Sequence, residues 1–273
     1  MSRVWLITGA SSGLGLAIVK EALLNGDKVV ATSRRDNAID IKNDNFMYLK
    51  LDVKDKDSCH FQDVVNKTID KFGTIDVLVN NAGHGMVTNF EETSDESIRE
   101  LFETNVFGMM KMTRVVLLIM RKNRSGHIFN VSSGAGYAPG PVGYHTSKFA
   151  VTGFSTSLKF EVEQFGIKVT NIIPGMFRTE FYNENKWVTN EDNHISDYDK
   201  NRWQTSLVET NRKHNQIGNP EKLAKLVYEV STVDNPPLHL PVGVDTVETL
   251  NAWIDSIKKD NDEWKEKASK TSY

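Results

Sequence analysis

Residues 8–15 read Thr8-Gly9-Ala10-Ser11-Ser12-Gly13-Leu14-Gly15. A short apolar run that begins at Val4 leads into this stretch, and a helical pattern of apolar residues follows it at Ile18, Val19 and Leu23. A glycine turn between a first strand and a helix presents unpaired backbone N–H groups and the positive end of the helix dipole. The stretch therefore predicts a turn that holds the pyrophosphate of a dinucleotide. A tight strand-to-helix turn without a ligand is the alternative interpretation.

Short β-branched runs alternate with longer helix-period segments along the rest of the chain, and parallel βαβ units produce this alternation. The fold expected for residues 1–273 is α/β: a single doubly wound, Rossmann-type domain with a seven-stranded, mostly parallel sheet and helices on both faces. The predicted strands are Val4–Thr8, Lys28–Ser33, Phe46–Lys50, Val77–Asn80, His127–Ser132, Lys168–Ile173 and Leu238–Pro241.

Composition and charge exclude several classes of protein. The 273 residues contain 33 Lys and Arg against 36 Asp and Glu, so no basic field is available to hold a nucleic acid or an anionic membrane. The single cysteine, Cys59, cannot form an intrachain disulfide, and the scattered histidines suggest no metal site. The apolar run at Val4 is too short for a signal segment and no 18-residue apolar stretch follows, so a cytoplasmic location is expected.

Two segments near the C-terminus differ from the alternating pattern. The polar, aromatic stretch 181–214 is interpreted as a substrate lid beside the active site, with Phe181, Tyr182, Trp187, Tyr198 and Trp203 as its aromatic residues. These rings suit an apolar substrate, although aromatic residues are also good packing material. Residues 244–268 are predicted to form an amphipathic helix docked on the domain through Val247, Leu250, Ile254, Ile257 and Trp264, with a solvated charged face.

The end of the second predicted strand bears on the choice of cofactor. The chain has Ser33-Arg34-Arg35 where an acid that reads the ribose hydroxyl of NAD is expected, and Asp36 comes too late to take that role. A guanidinium at Arg34 can bind a 2′-phosphate through two parallel hydrogen bonds, whereas an acid would repel it. The expected cofactor is NADP(H), with Ser33 in reach of the ribose. Arg34 as a solvated surface arginine is the alternative.

At this point the sequence resembles the short-chain dehydrogenase/reductase family over nearly its whole length. The matching motifs are TGASSGLG at 8–15, LDV at 51–53, NNAG at 80–83, the serines at 132–133, YHTSK at 144–148 and PGMFRT at 174–179. The segments GNPEKLAKLV and NPPLHLPVG are similar to the NADP-dependent branch with 17β-hydroxysteroid-dehydrogenase-like members. The resemblance, together with the cofactor argument, implies a cofactor site formed by Gly9, Ser11, Ser12, Gly13, Leu14, Gly15, Ser33, Arg34, Asp52, Val53, Asn81, Ala82, Gly83, Tyr144, Lys148, Pro174, Gly175, Phe177 and Thr179.

The resemblance also implies a catalytic set, Asn105, Ser133, Tyr144 and Lys148. Tyr144 and Lys148 are four residues apart and share a helix face, so an ammonium is expected to lower the pKa of the Tyr144 phenol, the general acid/base. Lys148 would also bind the nicotinamide ribose, and Ser133 the substrate carbonyl. Asn105 would hold a water that relays protons to Lys148.

Alternative interpretations remain open for each catalytic residue. Ser133 precedes Tyr144 by 11 residues, a shorter interval than is usual in the family, so Ser132 remains the other candidate for the catalytic serine. Asn105 also fits a packing role. A Tyr/Lys pair at this spacing is often a surface feature of a helix. His84, beside two glycines, is in reach of a cofactor or a substrate, with packing or solvent exposure as the alternative.

The expected function is an NADP(H)-dependent oxidoreductase that interconverts a carbonyl and a secondary alcohol on a small apolar substrate. The alternative is a non-catalytic NADP(H)-binding regulator or interaction protein on the same scaffold. A homodimer or homotetramer is expected through the helices that carry Asn105 and Tyr144, unless the sheet consumes both of their apolar faces. Those faces comprise Leu101, Phe102, Met109, Met110, Phe149, Phe154, Leu158 and Val162.

Overall fold

Buried β-branched runs form one parallel sheet in the computed structural model, which describes residues 2–182, 193–201 and 216–272. The sheet has seven strands in the order β3-β2-β1-β4-β5-β6-β7, and each neighbouring pair is parallel. This confirms the predicted α/β fold, with a sheet that is parallel throughout. The strands are β1 Val4–Ile7, β2 Lys28–Ser33, β3 Phe46–Lys50, β4 Val77–Asn80, β5 Gly126–Val131, β6 Ile167–Pro174 and β7 His239–Val242.

Helices connect the strands and cover both faces of the sheet. Local sequence sets several of their ends: Asp57 and Ser94 cap helix starts, Pro220 follows the cap Asn219, and Gly73 ends a helix with φ of +86°. The helices are α1 Gly13–Leu24, α2 Ser58–Phe72, α3 Asp95–Phe102, α4 Gly108–Asn123, α5 Val142–Val162, α6 Pro220–Ser231 and α7 Val244–Ser269, with a π-helical turn at Glu103–Phe107 between α3 and α4.

Alternate strand residues build a separate apolar core on each side of the sheet. Trp5 and Ile7 of β1 pack on one side with residues of α1 and α6, whereas Leu6 packs on the other side with residues of α2, α4 and α5. The strand order changes direction between β1 and β4, where successive helices pass to opposite faces. In doubly wound sheets this point leaves a crevice at the carboxyl ends of the strands, and ligands bind there. The loop at 8–15 lies at that crevice.

The apolar stripe of α7 differs from the sequence-based expectation. Residues Val247, Ile254, Ile257 and Trp264 are exposed, and Leu250 is only partly buried, so the stripe is not docked on the domain. Thr246 in the first turn is buried, and Trp253 packs against Phe149 at a ring distance of 5.2 Å. The expectation failed because the helix is longer than the surface beneath it.

The two helix faces expected to form an interface between copies are partly used inside the chain. Leu101, Met109, Leu158 and Val162 are buried in the single chain. Phe102, Met110, Phe149 and Phe154 are only partly buried. An interface centred on these helices would therefore use about half of the predicted residues, and the homo-oligomer stays a prediction.

The region of the predicted lid is described in two pieces, residues 181–182 and 193–201, and Trp187 and Trp203 lie outside the described residues. The second piece contacts the loop before α3, because Glu92 accepts a hydrogen bond from the Ile195 N–H at 2.9 Å and Glu91 accepts one from the Tyr198 hydroxyl. In the described part of the chain, no helix is long and apolar enough to cross a lipid bilayer.

Candidate active site

The glycine loop is fixed by direct backbone contact with the end of β4. Gly9 has φ of +63°, and a side-chain carbon added there would lie 2.6 Å from the Ala82 Cα. The Asn81 amide donates to the Thr8 and Gly9 carbonyls at 3.0 and 2.9 Å. In return, the Thr8 hydroxyl accepts hydrogen bonds from the Asn81 and Ala82 N–H groups. Asn81 and Ala82 thus shape the predicted phosphate loop, and Thr8 is a positioning residue that sequence reasoning missed.

The start of α1 fits a phosphate group. Among the described residues, Ser12 at the helix N-cap makes no side-chain capping hydrogen bond, and the first turn contains no acid. The N–H groups of this turn and the positive end of the dipole therefore face the crevice without a competing negative charge. A carbon added at Gly13, where φ is +58°, would lie 3.4 Å from the Thr179 side chain. The motif at 174–179 thus reaches across to the glycine loop from the other half of the sheet.

Two arginines flank the end of β2. Arg34 is exposed and has no ion-pair partner among the described residues. Arg35 donates from Nη2 to the Ser11 hydroxyl at 2.8 Å, which places a second guanidinium on the glycine loop. The nearby acid, Asp36, forms an ion pair with Lys50 at 2.8 Å. Arg35 is a candidate cofactor contact that sequence reasoning did not assign.

Other predicted cofactor residues lie around this crevice. Ser33 is buried and its hydroxyl shares a hydrogen bond with the Tyr48 hydroxyl at 2.7 Å, so its oxygen is already engaged by the protein. Asp52 follows β3 and accepts from the Lys54 N–H at 2.9 Å. Val53 packs so closely on α4 that a carbon added at Gly108 would lie 2.6 Å from the Val53 carbonyl oxygen.

The loop after β6 is held by the first turn of α7. Gly175 donates its N–H to the Val242 carbonyl at 3.0 Å, and Met176 donates to the Asp245 carboxylate at 2.7 Å. Phe177 is buried beneath the loop. Asp245 is a second positioning residue that sequence reasoning missed. Its one sequence signal is an acid in the first turn of a helix, a place where the helix dipole favours negative charge.

Tyr144 and Ser133 come together at the carboxyl end of β5. The Ser133 hydroxyl accepts a hydrogen bond from the Ala135 N–H at 3.2 Å and lies near enough to the Tyr144 phenol on α5 to lower its pKa, and the Tyr144 ring lies 5.8 Å from the ring of Phe181. Ser132 is buried and turned away, because its hydroxyl donates to the Lys148 carbonyl at 3.0 Å. The structure therefore brings Ser133, and not Ser132, into contact with the phenol.

Burial shifts the pKa values of Tyr144 and Lys148 in opposite directions, in each case toward the uncharged form. It raises the pKa of Tyr144 to about 12, against the opposite effect of the nearby Ser133 hydroxyl, and it lowers the pKa of Lys148 to about 8. The expectation that Lys148 lowers the pKa of Tyr144 is not met. The Lys148 ammonium donates to the Val131 carbonyl at 3.0 Å and lies 5.7 Å from the centre of the Tyr144 ring. Desolvation of the phenolate thus decides the direction of the Tyr144 shift.

Asn105 lies in the π-helical turn between α3 and α4, a type of turn that often occurs at functional sites. Its amide donates to the His84 carbonyl and the Ser147 hydroxyl at 3.0 and 3.1 Å, and its oxygen accepts from the His84 N–H. A carbon added at Gly83 would lie 3.1 Å from the Asn105 oxygen and 3.7 Å from the Lys148 Nζ. The amide is therefore close to Lys148, although most of its hydrogen bonds hold the loop after β4.

The His84 imidazole, beside Asn105 and Lys148, is neutral at neutral pH. Burial, and then the positive charges of Arg34, Lys54 and Lys148, lower its pKa to about 4. Its backbone holds Asn105, so its visible contribution is to position that residue. Over the described residues, no group of three or more His, Cys, Asp or Glu side chains is placed to hold a metal ion.

A family model described as short chain dehydrogenase matches residues 3–188. The chain belongs to the short-chain dehydrogenase/reductase family. Oxidoreductase BOA17 of Botryotinia fuckeliana is 36% identical over 278 residues, which cover 97% of this chain and 98% of that protein. A short-chain dehydrogenase from Streptomyces avermitilis has a TM-score of 0.89 and 34% identity over the whole of both chains. Serine dehydrogenase complexed with NADP⁺ has a TM-score of 0.72 and 28% identity, covering 88% of this chain and 94% of that one.

Replacing Gly9 in this short-chain dehydrogenase tests whether the loop holds the cofactor. Gly9→Ala adds a carbon 2.6 Å from backbone at a positive φ, so the loop has to open, and we expect affinity for a nicotinamide dinucleotide to fall by about tenfold or more. Gly153→Ala on α5 is the control, since nothing lies within 4 Å of the added carbon. Fluorescence titration measures both. Wild-type affinity in a folded Gly9→Ala variant would show that the loop does not cradle the phosphates.

Proposed function

We propose that this oxidoreductase uses NADP(H) to interconvert a carbonyl and a secondary alcohol. The observation that carries the proposal is the partly buried Tyr144 phenol, with the Ser133 hydroxyl near it and the Lys148 ammonium 5.7 Å from its ring centre, in the same crevice as an uncapped helix start. A non-catalytic regulator would have no need for a protonated phenol paired with a second hydroxyl. An NADPH-oxidation screen over aldehydes, ketones, quinones and steroids tests the proposal directly, because turnover of none of these classes would favour the regulator.

In the proposed reaction, the glycine loop and Lys148 would hold NADPH, which would supply a hydride to the carbonyl carbon. The Ser133 hydroxyl donates a hydrogen bond to the substrate oxygen and stabilises the charge that grows there as the C=O π electrons move onto it. The Tyr144 hydroxyl then gives its proton to that oxygen and completes the alcohol. A pKa of about 12 keeps this proton on the phenol at neutral pH, which suits the reductive direction. Lys148 binds the nicotinamide ribose, and Asn105 holds the relay that returns a proton.

The geometry near Phe181 favours an apolar substrate. Its ring packs 5.8 Å from the ring of Tyr144, so the space in front of the phenol is bounded by aromatic surface. An apolar wall excludes water from the developing charge and strengthens the hydrogen bonds of Ser133 and Tyr144 to the substrate oxygen. We therefore expect apolar ketones or aldehydes to be better substrates than small hydrophilic ones of the same intrinsic reactivity.

Arg34 and Arg35 support the preference for NADP(H). Both guanidiniums lie at the end of β2 and the nearby Asp36 is paired with Lys50, so the 2′-phosphate meets positive charge without a free acid. The similar serine dehydrogenase was solved with NADP⁺. Preference between the two cofactors is the part of the proposal that a single substitution tests.

Arg34→Asp should weaken NADPH binding by roughly 1.5–3 kcal/mol, the range for a hydrogen bond to a charged group, and shift preference toward NADH. Lys225→Asp on the exposed side of α6 makes the same change of charge and should leave both affinities unchanged. Dissociation constants for NADPH and NADH, measured by fluorescence, give the comparison. Equal wild-type affinities for NADPH and NADH would show that Arg34 does not bind the 2′-phosphate.

Tyr144→Phe keeps the ring and removes the hydroxyl, so NADPH affinity should stay close to wild type while carbonyl reduction slows by about 10²–10⁴-fold. Tyr137→Phe is a matched control, because the Tyr137 hydroxyl is bonded to His239 at 2.7 Å and has no assigned role in the chemistry. Single-turnover rates with an identified substrate separate chemistry from binding. Near-normal turnover by Tyr144→Phe would exclude its hydroxyl as the proton donor.

Lys148 should set the alkaline limit of reduction. Its lowered pKa, about 8, means that the ammonium loses its charge as the pH rises through that value, whereas Tyr144 remains protonated. The rate of reduction should therefore be level below about pH 7 and fall above about 8. Lys148→Arg keeps a positive charge throughout this range and should abolish that fall, at a lower absolute rate. An unchanged alkaline limb in Lys148→Arg would assign the limit to another group.

A further inference from the structure

The C-terminal helix α7 extends beyond the domain on which it begins. It has 26 residues and a length of about 39 Å at the usual helical rise. Thr246 is buried and Trp253 packs against Phe149, which anchors the first turns. From residue 254 onward, each described position is exposed, so the last 16 residues of the helix project from the domain.

An apolar stripe with a regular seven-residue repeat runs along this helix. Val247, Leu250, Ile254, Ile257 and Trp264 are spaced 3, 4, 3 and 7 residues apart. Asn261 and Ala268 fill the intervening and following places of the same repeat. The a positions are therefore Val247, Ile254, Asn261 and Ala268, and the d positions are Leu250, Ile257 and Trp264. Apolar residues repeating at an average of 3.5 positions are the pattern of a coiled coil.

The single chain leaves this stripe in contact with water. Ile254, Ile257 and Trp264 are 50–55% exposed. A helix segment of this length is marginal in water without tertiary contacts. The ion pairs of Asp262 with Lys258 and Lys265 join exposed side chains along the helix surface, so they supply little stabilisation. The projecting segment therefore needs an apolar partner along the stripe to be a stable helix.

Charges beside the stripe fit a second copy of the same helix in parallel orientation. Asp260 is at a g position and Lys265 at the following e position, and these two positions meet across a parallel pair. By symmetry the attraction occurs twice. In an antiparallel pair e positions face e positions and g positions face g positions, so Lys258 and Lys265 repel while Asp260 and Lys267 attract, and the charges give no net preference for that arrangement. Asn261 at an a position favours the parallel, in-register pair in which the two amides meet.

A lipid surface fits the segment less well. Residues 255–270 contain five acidic residues and five lysines, interspersed along the helix. Helices that bind anionic membranes carry an excess of Lys and Arg on the polar face. This segment has no such excess of positive charge.

We propose that α7 pairs with α7 of a second copy of the chain as a parallel two-stranded coiled coil. The seam runs over the stripe from Val247 to Ala268, and beside it Trp253 contacts the Tyr144 helix face at Phe149. The pairing is independent of the proposed catalytic function.

Sedimentation velocity from micromolar to submillimolar concentration tests the pairing. Ile254→Glu with Ile257→Glu would bury two carboxylates of each chain in the seam, so we expect self-association to weaken by at least about tenfold, with NADPH binding unchanged. Ala252→Glu with Ser256→Glu adds the same charge on the opposite face and should leave association unchanged. A wild-type monomer throughout this range overturns the proposal, and so does association that the first pair of substitutions does not affect.

Charge exchange tests the orientation. Asp260→Lys places like charges across the seam and should weaken association, and adding Lys265→Asp should restore it, because these positions meet only in a parallel pair. Circular dichroism checks that the helix is retained. Failure of the exchange to restore association overturns the parallel arrangement. Binding to vesicles of anionic phospholipid by a protein that stays monomeric overturns the proposal in favour of a membrane surface.

Discussion

The site depends on the contact between two backbones at the centre of the sheet. Gly9 lies so close to Ala82 that no side chain fits between them, and hydrogen bonds of Thr8 and Asn81 close the same contact from both sides. β1 and β4 are neighbours whose following helices pass to opposite faces, so this contact ties the two halves of the sheet together. The contact places the uncapped start of α1 on one side. On the other side it places the loop after β4, which is hydrogen-bonded to Asn105 and lies close to Lys148.

Burial at Tyr144 and Lys148 is the second determinant of the chemistry. The same loss of hydration holds a proton on the phenol and weakens the hold of the amine on its own. The energetic penalty at Lys148 is limited because its ammonium keeps a hydrogen-bond partner, the Val131 carbonyl at 3.0 Å. A neutral phenol beside a readily discharged ammonium is the arrangement that the proposed reduction requires. Under that proposal, the charge on Lys148 and not the ordinary pKa of tyrosine sets the pH dependence of the reaction.

Sequence reasoning predicted the strands closely because parallel strands buried on both faces are short apolar runs with clear ends. β2, β3 and β4 match their predicted bounds, and β5 begins one residue earlier at Gly126. It also named Gly9, Asn81, Ala82 and Thr179, which lie together at the crevice, while their roles stay predictions. It did not find the roles of Arg35 and Asp245, because both depend on where a long or charged side chain points across a fold. The direction of the Tyr144 pKa shift was missed for a related reason: spacing shows that Lys148 is near, but burial decides the outcome.

The helix α7 shows why periodicity alone cannot say what covers an apolar stripe. A spacing of three and four fits both a helix lying on its own domain and a helix paired with another, and the two differ only in how long the repeat stays regular. A docked helix follows the curved surface beneath it and needs apolar residues only as far as that surface extends. Here the surface ends near Trp253, yet the repeat continues through Ile254, Ile257 and Trp264. An apolar repeat that continues past its own domain is explained by contact with another molecule.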